Sequence, residues 1–246
     1  MNWRSALAAL IALVLASAGA SAEPSFSFDA TPGKLPKSVV PTRYAVELAP
    51  DLQSLSIAGS EVVDVDVREG VARVVLSAVN IEITEASLDG GAKPAQVSLD
   101  AAAETATLDF GSVIAPGAHK LRLAFTAKIN SFGRGLFFVD YPTEAGTKRM
   151  ISTQLEPADA RRIFPCWDEP VFKATFALTV TVPLDFLAVS NTPVTKEEAA
   201  ASDKKRVSFA TTPKMSSYLF VLSAGELERI TADADGVTVG VVATRG

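Results

Sequence analysis

One cysteine and one histidine occur in 246 residues, and these two scarcities exclude most of the usual catalytic chemistry. Cys166 has no second thiol to join, so no intrachain disulfide can form and the fold has to rest on its core. With 48% hydrophobic residues, a chain of this length can bury such a core without metals or cross-links. Zinc sites gather His, Cys or carboxylate ligands, usually with one close-spaced pair, and His119 and Cys166 form no such pair. Ser-His-Asp catalysis would have to use His119, which follows Pro116 and Gly117 at the start of a strand as a turn-edge residue, and no nucleophile-elbow pattern accompanies it. A cysteine nucleophile needs a positioned base. Between Pro165 and Trp167, Cys166 reads instead as a small buried hydrophobe. A phosphate-binding glycine loop, internal repeats and any lysine-arginine run longer than three residues are also lacking. With a net charge of -5, the last absence argues against nucleic acid as a partner. The chain by itself contains no complete catalytic set and no metal site.

What is present begins with a targeting segment. Arg4 gives a short positive start, residues 6–16 are an apolar run, and Ala20, Ser21 and Ala22 fit a small-residue cleavage site. Residues 1–22 therefore read as a secretory signal peptide, too short to span a bilayer, where about 20 apolar residues are needed. The mature chain is expected to begin near Glu23, in the periplasm or outside the cell, with no stable membrane span. Cleavage removes one arginine and no acid, moving the net charge from -5 to -6.

Residues 23–40, with Pro24, Pro32, Gly33 and Pro36, read as an extended leader. From residue 41 to 244 the dominant signal is alternation of apolar and polar residues, rich in valine and punctuated by turn residues. The strand candidates are residues 44–48, 60–67, 72–76, 81–83, 96–99, 105–110 and 119–125, then 174–182, 186–190, 205–210, 217–222 and 237–243. Asp89-Gly90-Gly91 and Ala115-Pro116-Gly117 fall between them as turns. The pattern predicts one all-β domain of antiparallel strands, a sandwich or curled sheet. Only residues 156–163 and 196–201 read as helical.

One stretch departs from this pattern. Residues 153–170 carry two adjacent arginines, four carboxylates and three prolines in eighteen positions. That suits neither a strand nor an amphipathic helix, and reads as a compact loop with a helical turn. Loops of that kind on a rigid scaffold are where binding residues sit. Gln154 and Glu156, two apart in an extended segment, project to one side. A carboxylate and an amide oxygen there could jointly hold a protonated amine. Alternatively, Glu156 caps the following turn or pairs with Arg161 or Arg162. The two arginines are most simply partners for Asp159, Asp168 or Glu169, in pairs that would pin the loop.

The run Thr153-Gln154-Leu155-Glu156-Pro157, with Asp159-Ala160-Arg161-Arg162 and Phe164-Pro165-Cys166-Trp167-Asp168-Glu169-Pro170, resembles the signature segment of M1-family zinc aminopeptidases. Phe172-Lys173-Ala174-Thr175-Phe176 continues it in register. The glycine-aromatic segment at residues 135–138, Met215-Ser216-Ser217-Tyr218-Leu219 and Pro41-Thr42-Arg43-Tyr44 are similar to further pieces of the family pattern. The resemblance spans residues 41–246. It implies the family's N-terminal domain, a saddle-like β-sandwich in which Gln154 and Glu156 help line the substrate pocket around the first residue and its free amino group. It also implies peptide N-termini and a catalytic domain as partners, and zinc as the cofactor of the parent enzyme. The family's Gly-x-Met-Glu-Asn loop and His-Glu-x-x-His helix are not in this sequence, so no catalytic residue, metal ligand or cofactor is expected in this chain, which alone is expected to be inactive. The alternative is a stand-alone secreted β-sandwich that binds peptide ends or another protein without catalysis.

Overall fold

The computed structural model describes residues 26–91, 93–201 and 203–245. The expected signal peptide lies outside the described residues. Contacts divide the chain into two units, Met1–Pro32 and Gly33–Gly246. In the first, residues 28–30 form a turn in which the Thr31 N–H and hydroxyl both donate to the Ser27 carbonyl, at 3.0 and 2.7 Å. From the start of the second unit to residue 38 the backbone runs in turns and bends, and residues 39–40 of the expected leader already belong to the first strand.

The strands of the second unit are β1 (Val39–Asp51), β2 (Ser56–Val67), β3 (Val71–Ser77), β4 (Glu82–Leu88), β5 (Gln96–Asp100) and β6 (Thr105–Ile114). After these come β7 (Gly117–Lys128), β8 (Gly135–Thr143), β9 (Gly146–Gln154), β10 (Lys173–Pro183), β11 (Leu187–Ser190) and β12 (Val194–Ala201). The last are β13 (Lys204–Phe209), β14 (Met215–Ser216), β15 (Leu222–Gly225), β16 (Leu227–Ala234) and β17 (Val237–Thr244). The largest sheet has the order β12-β13-β10-β1-β2-β7-β4, with β14 also on β10. A second sheet runs β11-β15-β9-β8, a third β3-β6-β5, and β16 and β17 form a ribbon. This is the all-β architecture that the alternation predicts, and the expected helical turn is a single 3-10 turn at Ala160–Arg162.

Three expectations are corrected. Residues 196–201 are not helical but lie in β12. Their Lys, Glu and Ala residues favour helix, but pairing with β13, with Glu198 opposite Arg206, overrides that local preference. All the side chains of this edge strand are exposed and half are charged or polar, which blunts edge-to-edge association. Residues 217–222 are not one strand: Ser217–Leu219 form a 3-10 turn and β15 begins at Leu222. Finally, β1 and β10 pair in parallel, with Tyr44 opposite Phe176. A parallel pair needs a long crossover, supplied here by everything between the two strands.

The Tyr44 and Phe176 rings stack at 4.8 Å, and Phe164 and Phe220 close the cluster edge-on, their centroids 5.2 Å apart. Phe164 belongs to the irregular 155–172 loop, so this aromatic cluster docks the loop onto the large sheet. The backbone does the same for the third sheet: Ser77 N–H donates to the Cys166 carbonyl at 2.7 Å and Cys166 N–H to the Ser77 carbonyl at 3.0 Å. Trp167 N–H reaches the Tyr44 hydroxyl at 3.2 Å. The irregular segment is thus pinned to both the large sheet and the third sheet.

The ribbon contrasts with this. Cross-strand pairs Ile230–Val241, Ala232–Val239 and Ala234–Val237 line up on one face, since alternate residues share a side. Ile230, Val237, Val239 and Val241 are all exposed. An isolated two-stranded hairpin is marginal in water unless something packs on it.

Candidate functional site

β9 ends at Gln154, whose backbone partner is Gly135 at the start of β8. Leu155 then turns into the core, and Glu156 emerges again, so the exposed–buried–exposed alternation of a strand persists for two more residues. Gln154 and Glu156 thus flank a buried anchor and are both exposed. The Glu156–Pro157 peptide is cis. The Asp159 N–H closes the following turn onto the Leu155 carbonyl at 2.8 Å, and the 3-10 turn begins at Ala160.

The other charges of the loop are spent on one another. Asp159 stands at the N-cap of the 3-10 turn but makes no capping bond. Its carboxylate, 3% exposed, takes a two-bond fork from Arg134, Nε to Oδ2 at 2.8 Å and Nη2 to Oδ1 at 2.9 Å, and a third bond from Arg162 Nε at 2.6 Å. Burial pushes the Asp159 carboxyl up, but the two guanidinium groups outweigh it and hold it below the ordinary value. Arg161 donates through Nε to Asp168 Oδ2 at 3.0 Å, through Nη2 to the Asp168 carbonyl at 2.9 Å and through Nη1 to Glu104 Oε2 at 2.9 Å. Asp168 Oδ1 accepts from the Ser217 hydroxyl at 2.5 Å. Glu169 Oε1 accepts the Lys34 and Leu35 N–H groups at 2.7 and 3.0 Å. Of the loop's four carboxylates, only that of Glu156 has no hydrogen-bond or ion-pair partner among the described residues.

That outcome removes one of the alternatives open in the sequence. Glu156 neither caps the turn nor pairs with Arg161 or Arg162, while the arginines do take Asp168 and Asp159 as partners. Two residues of the arrangement escaped the sequence: Arg134 and Glu104. The one available hint is that Arg134 lies between Gly133 and Gly135, immediately before a strand.

The remaining candidates are occupied. His119 Nδ1 faces Asp89 Oδ2 at 2.7 Å and Nε2 faces the Ala115 carbonyl at 2.9 Å. The bond to Asp89 raises its pKa from 6.5, against a smaller opposing effect of burial. Both ring nitrogens face acceptors, so neither is available as a metal ligand. Cys166 is fully buried, and burial pushes its thiol well above the ordinary value, so it is no nucleophile. Among the described residues no group of three His, Cys, Asp or Glu could hold a metal ion, and the residues present do not fit a zinc site.

Residues 40–219 match the family described as the peptidase M1 N-terminal domain. The chain belongs to the M1 peptidase family. It is 45% identical over 241 residues to an aminopeptidase N of Acetobacter pasteurianus, covering 98% of this chain and 68% of that protein. It is 36% identical over 216 residues to aminopeptidase M1 of Arabidopsis thaliana, covering 85% of this chain and 24% of that protein. A puromycin-sensitive aminopeptidase of Caenorhabditis elegans is 35% identical over 220 residues, 87% of this chain and 23% of its own length. The chain therefore spans about two thirds of one of these relatives and about a quarter of the other two.

Proposed function

We propose that this M1 N-terminal domain supplies part of the substrate pocket of an exported zinc aminopeptidase that removes N-terminal residues from peptides. The observation that carries this reading is the Glu156 carboxylate, exposed and unpaired among the described residues in a loop whose other three carboxylates are all engaged. With Gln154 beside it, the carboxylate supplies charge and the amide oxygen a second acceptor for a protonated α-amine. Only a free N-terminus brings that positive charge, which would make the enzyme an exopeptidase. The zinc and the hydrolytic step belong to a catalytic domain that is not in this sequence. Within this chain the contribution is recognition and orientation. Export rests on the signal-like residues 1–22, and the periplasm or the exterior is the proposed location.

The uncovered apolar face of the β16–β17 ribbon supports a domain that works against a neighbour. A stand-alone secreted binding module would have to leave Ile230, Val237, Val239 and Val241 in water, and solvent-exposed apolar patches on soluble monomers generally mark interaction sites. The test is Glu156→Ala in the full-length protein. Transition-state stabilisation for free-amine substrates should fall by about 2–4 kcal/mol in kcat/KM, as for loss of one partner of a desolvated charge pair. An unchanged kcat/KM would leave Glu156 only a structural role.

A further inference from the structure

Resting on that reading of Glu156, we infer that Arg134 is a positioning residue that fixes the Glu156 carboxylate through Asp159. The turn carrying Glu156 is closed by one backbone bond, from the Asp159 N–H to the Leu155 carbonyl. Whatever holds Asp159 therefore holds the turn. Its carboxylate is clamped from two directions, by Arg162 in the loop itself and by the fork of Arg134. Arg134 comes from the connection between β7 and β8, and its position is itself fixed. Asn130 Nδ2 donates to the Arg134 carbonyl at 2.7 Å, and Gly135, the next residue, is registered against Gln154. The two proposed amine-binding residues thus share one frame. Gln154 is placed by the β8–β9 ladder, and Glu156 by the ion-paired Asp159 just beyond its turn. Arg162, bonded to the same carboxylate, is engaged there and does not neutralise Glu156.

Arg134 is 54% exposed, and although Asp159 is buried, the bond from Arg162 still compensates its carboxylate when Arg134 is removed. Arg134→Met should therefore fold, with Asp159 still paired to Arg162, and the effect should appear in the geometry of the turn. In the full-length protein, Arg134→Met should lower kcat/KM for amino-acid arylamides between about 10- and 100-fold, the range for a group displaced by about an ångström. Arg134→Lys, a point charge without the fork, should recover only part of the loss. In the Glu156→Ala background, Arg134→Met should cause no further loss, because its action runs through Glu156. In the 246-residue chain the Asp159 amide should exchange faster in Arg134→Met than in the wild type.

A full loss that persists in the Glu156→Ala background would make Arg134 merely structural and overturn the proposal. So would Arg134→Met with unchanged kcat/KM beside an impaired Glu156→Ala, or an Asp159 amide as protected as before. If Glu156→Ala itself costs nothing, the amine-anchor reading fails and the positioning role falls with it.

Discussion

Glu61 is the feature of the core most open to a decisive experiment. It lies in β2, opposite Val46 of β1 and Leu123 of β7, and is 2% exposed. Neither carboxyl oxygen has a hydrogen-bond partner among the described residues. Its titratable neighbours give no help. Burial holds Tyr44 and Cys166 in their neutral forms. Burial alone pushes the Glu61 pKa well above its ordinary 4.5. The folded state therefore keeps the acid neutral while the unfolded chain ionises freely. Stability is full below about pH 4.5 and falls as pH rises toward the folded pKa, by up to about 1.4 kcal/mol per pH unit. Even neutral, an unpaired buried polar group costs roughly 1–3 kcal/mol. Glu61→Leu, similar in volume and flanked by aliphatic partners, should remove both costs and stabilise the chain by roughly 2–5 kcal/mol at pH 7. At about 2–4 °C per kcal/mol for a chain of this size, the Tm shift is easily read. Glu61→Gln separates the two effects: it should remove the Glu61 share of the pH slope above 4.5, leaving only the small His119 part, yet keep most of the cost of burial. Urea unfolding of wild type and both variants at pH 5, 6, 7 and 8 gives the comparison. If Glu61→Leu is no more stable than wild type, or if the wild-type pH slope survives undiminished in Glu61→Gln, the carboxyl is satisfied in solution and the reasoning is refuted.

Two further predictions concern local geometry. Gly135 has φ +67, and an added Cβ would lie 2.9 Å from Arg162 Cβ. Gly135→Ala should therefore cost about 1–3 kcal/mol from backbone strain and crowding, and an unchanged unfolding midpoint would contradict the packing between β8 and the loop. For His119, the raised pKa means that the pair with Asp89 stabilises the fold fully below pH 6.5 and is lost as pH rises through the folded value. Asp89 is half exposed, so the effect should stay below about 1 kcal/mol. An NMR titration placing the His119 ring at or below 6.5 would rule out the charged pair.

The all-β class was legible because alternation survives in the strands with one wet face. In β2, residues 57, 63, 65 and 67 are apolar and inward, and the same parity marks Glu61 as an oddity on the buried side. Where strands are exposed on both faces, nothing enforces alternation. That is why residues 196–201 of β12, all Lys, Glu or Ala, read as helix, and why the β8–β9 hairpin, half exposed along its length, carries only a weak signal. Pairing order was not legible, because the parallel match of Tyr44 with Phe176 joins residues whose proximity depends on the whole intervening chain. The candidate site divides along the same line. Gln154, Glu156 and their neighbouring arginines lie within one loop, so their residue types and spacing could be weighed directly. The clamp on Asp159 could not, because Arg134 reaches it across the β8–β9 hairpin from 25 residues away. The sequence supplies a carboxylate that could bind an amine. The fold decides whether that carboxylate is free to do so, by giving Arg161 and Arg162 other partners. A loop with the same composition but without Asp159 and Asp168 would present the same residues to solvent with Glu156 open to pairing by its own arginines. Function in this segment therefore depends as much on the acids that bind no ligand as on the one proposed to bind it.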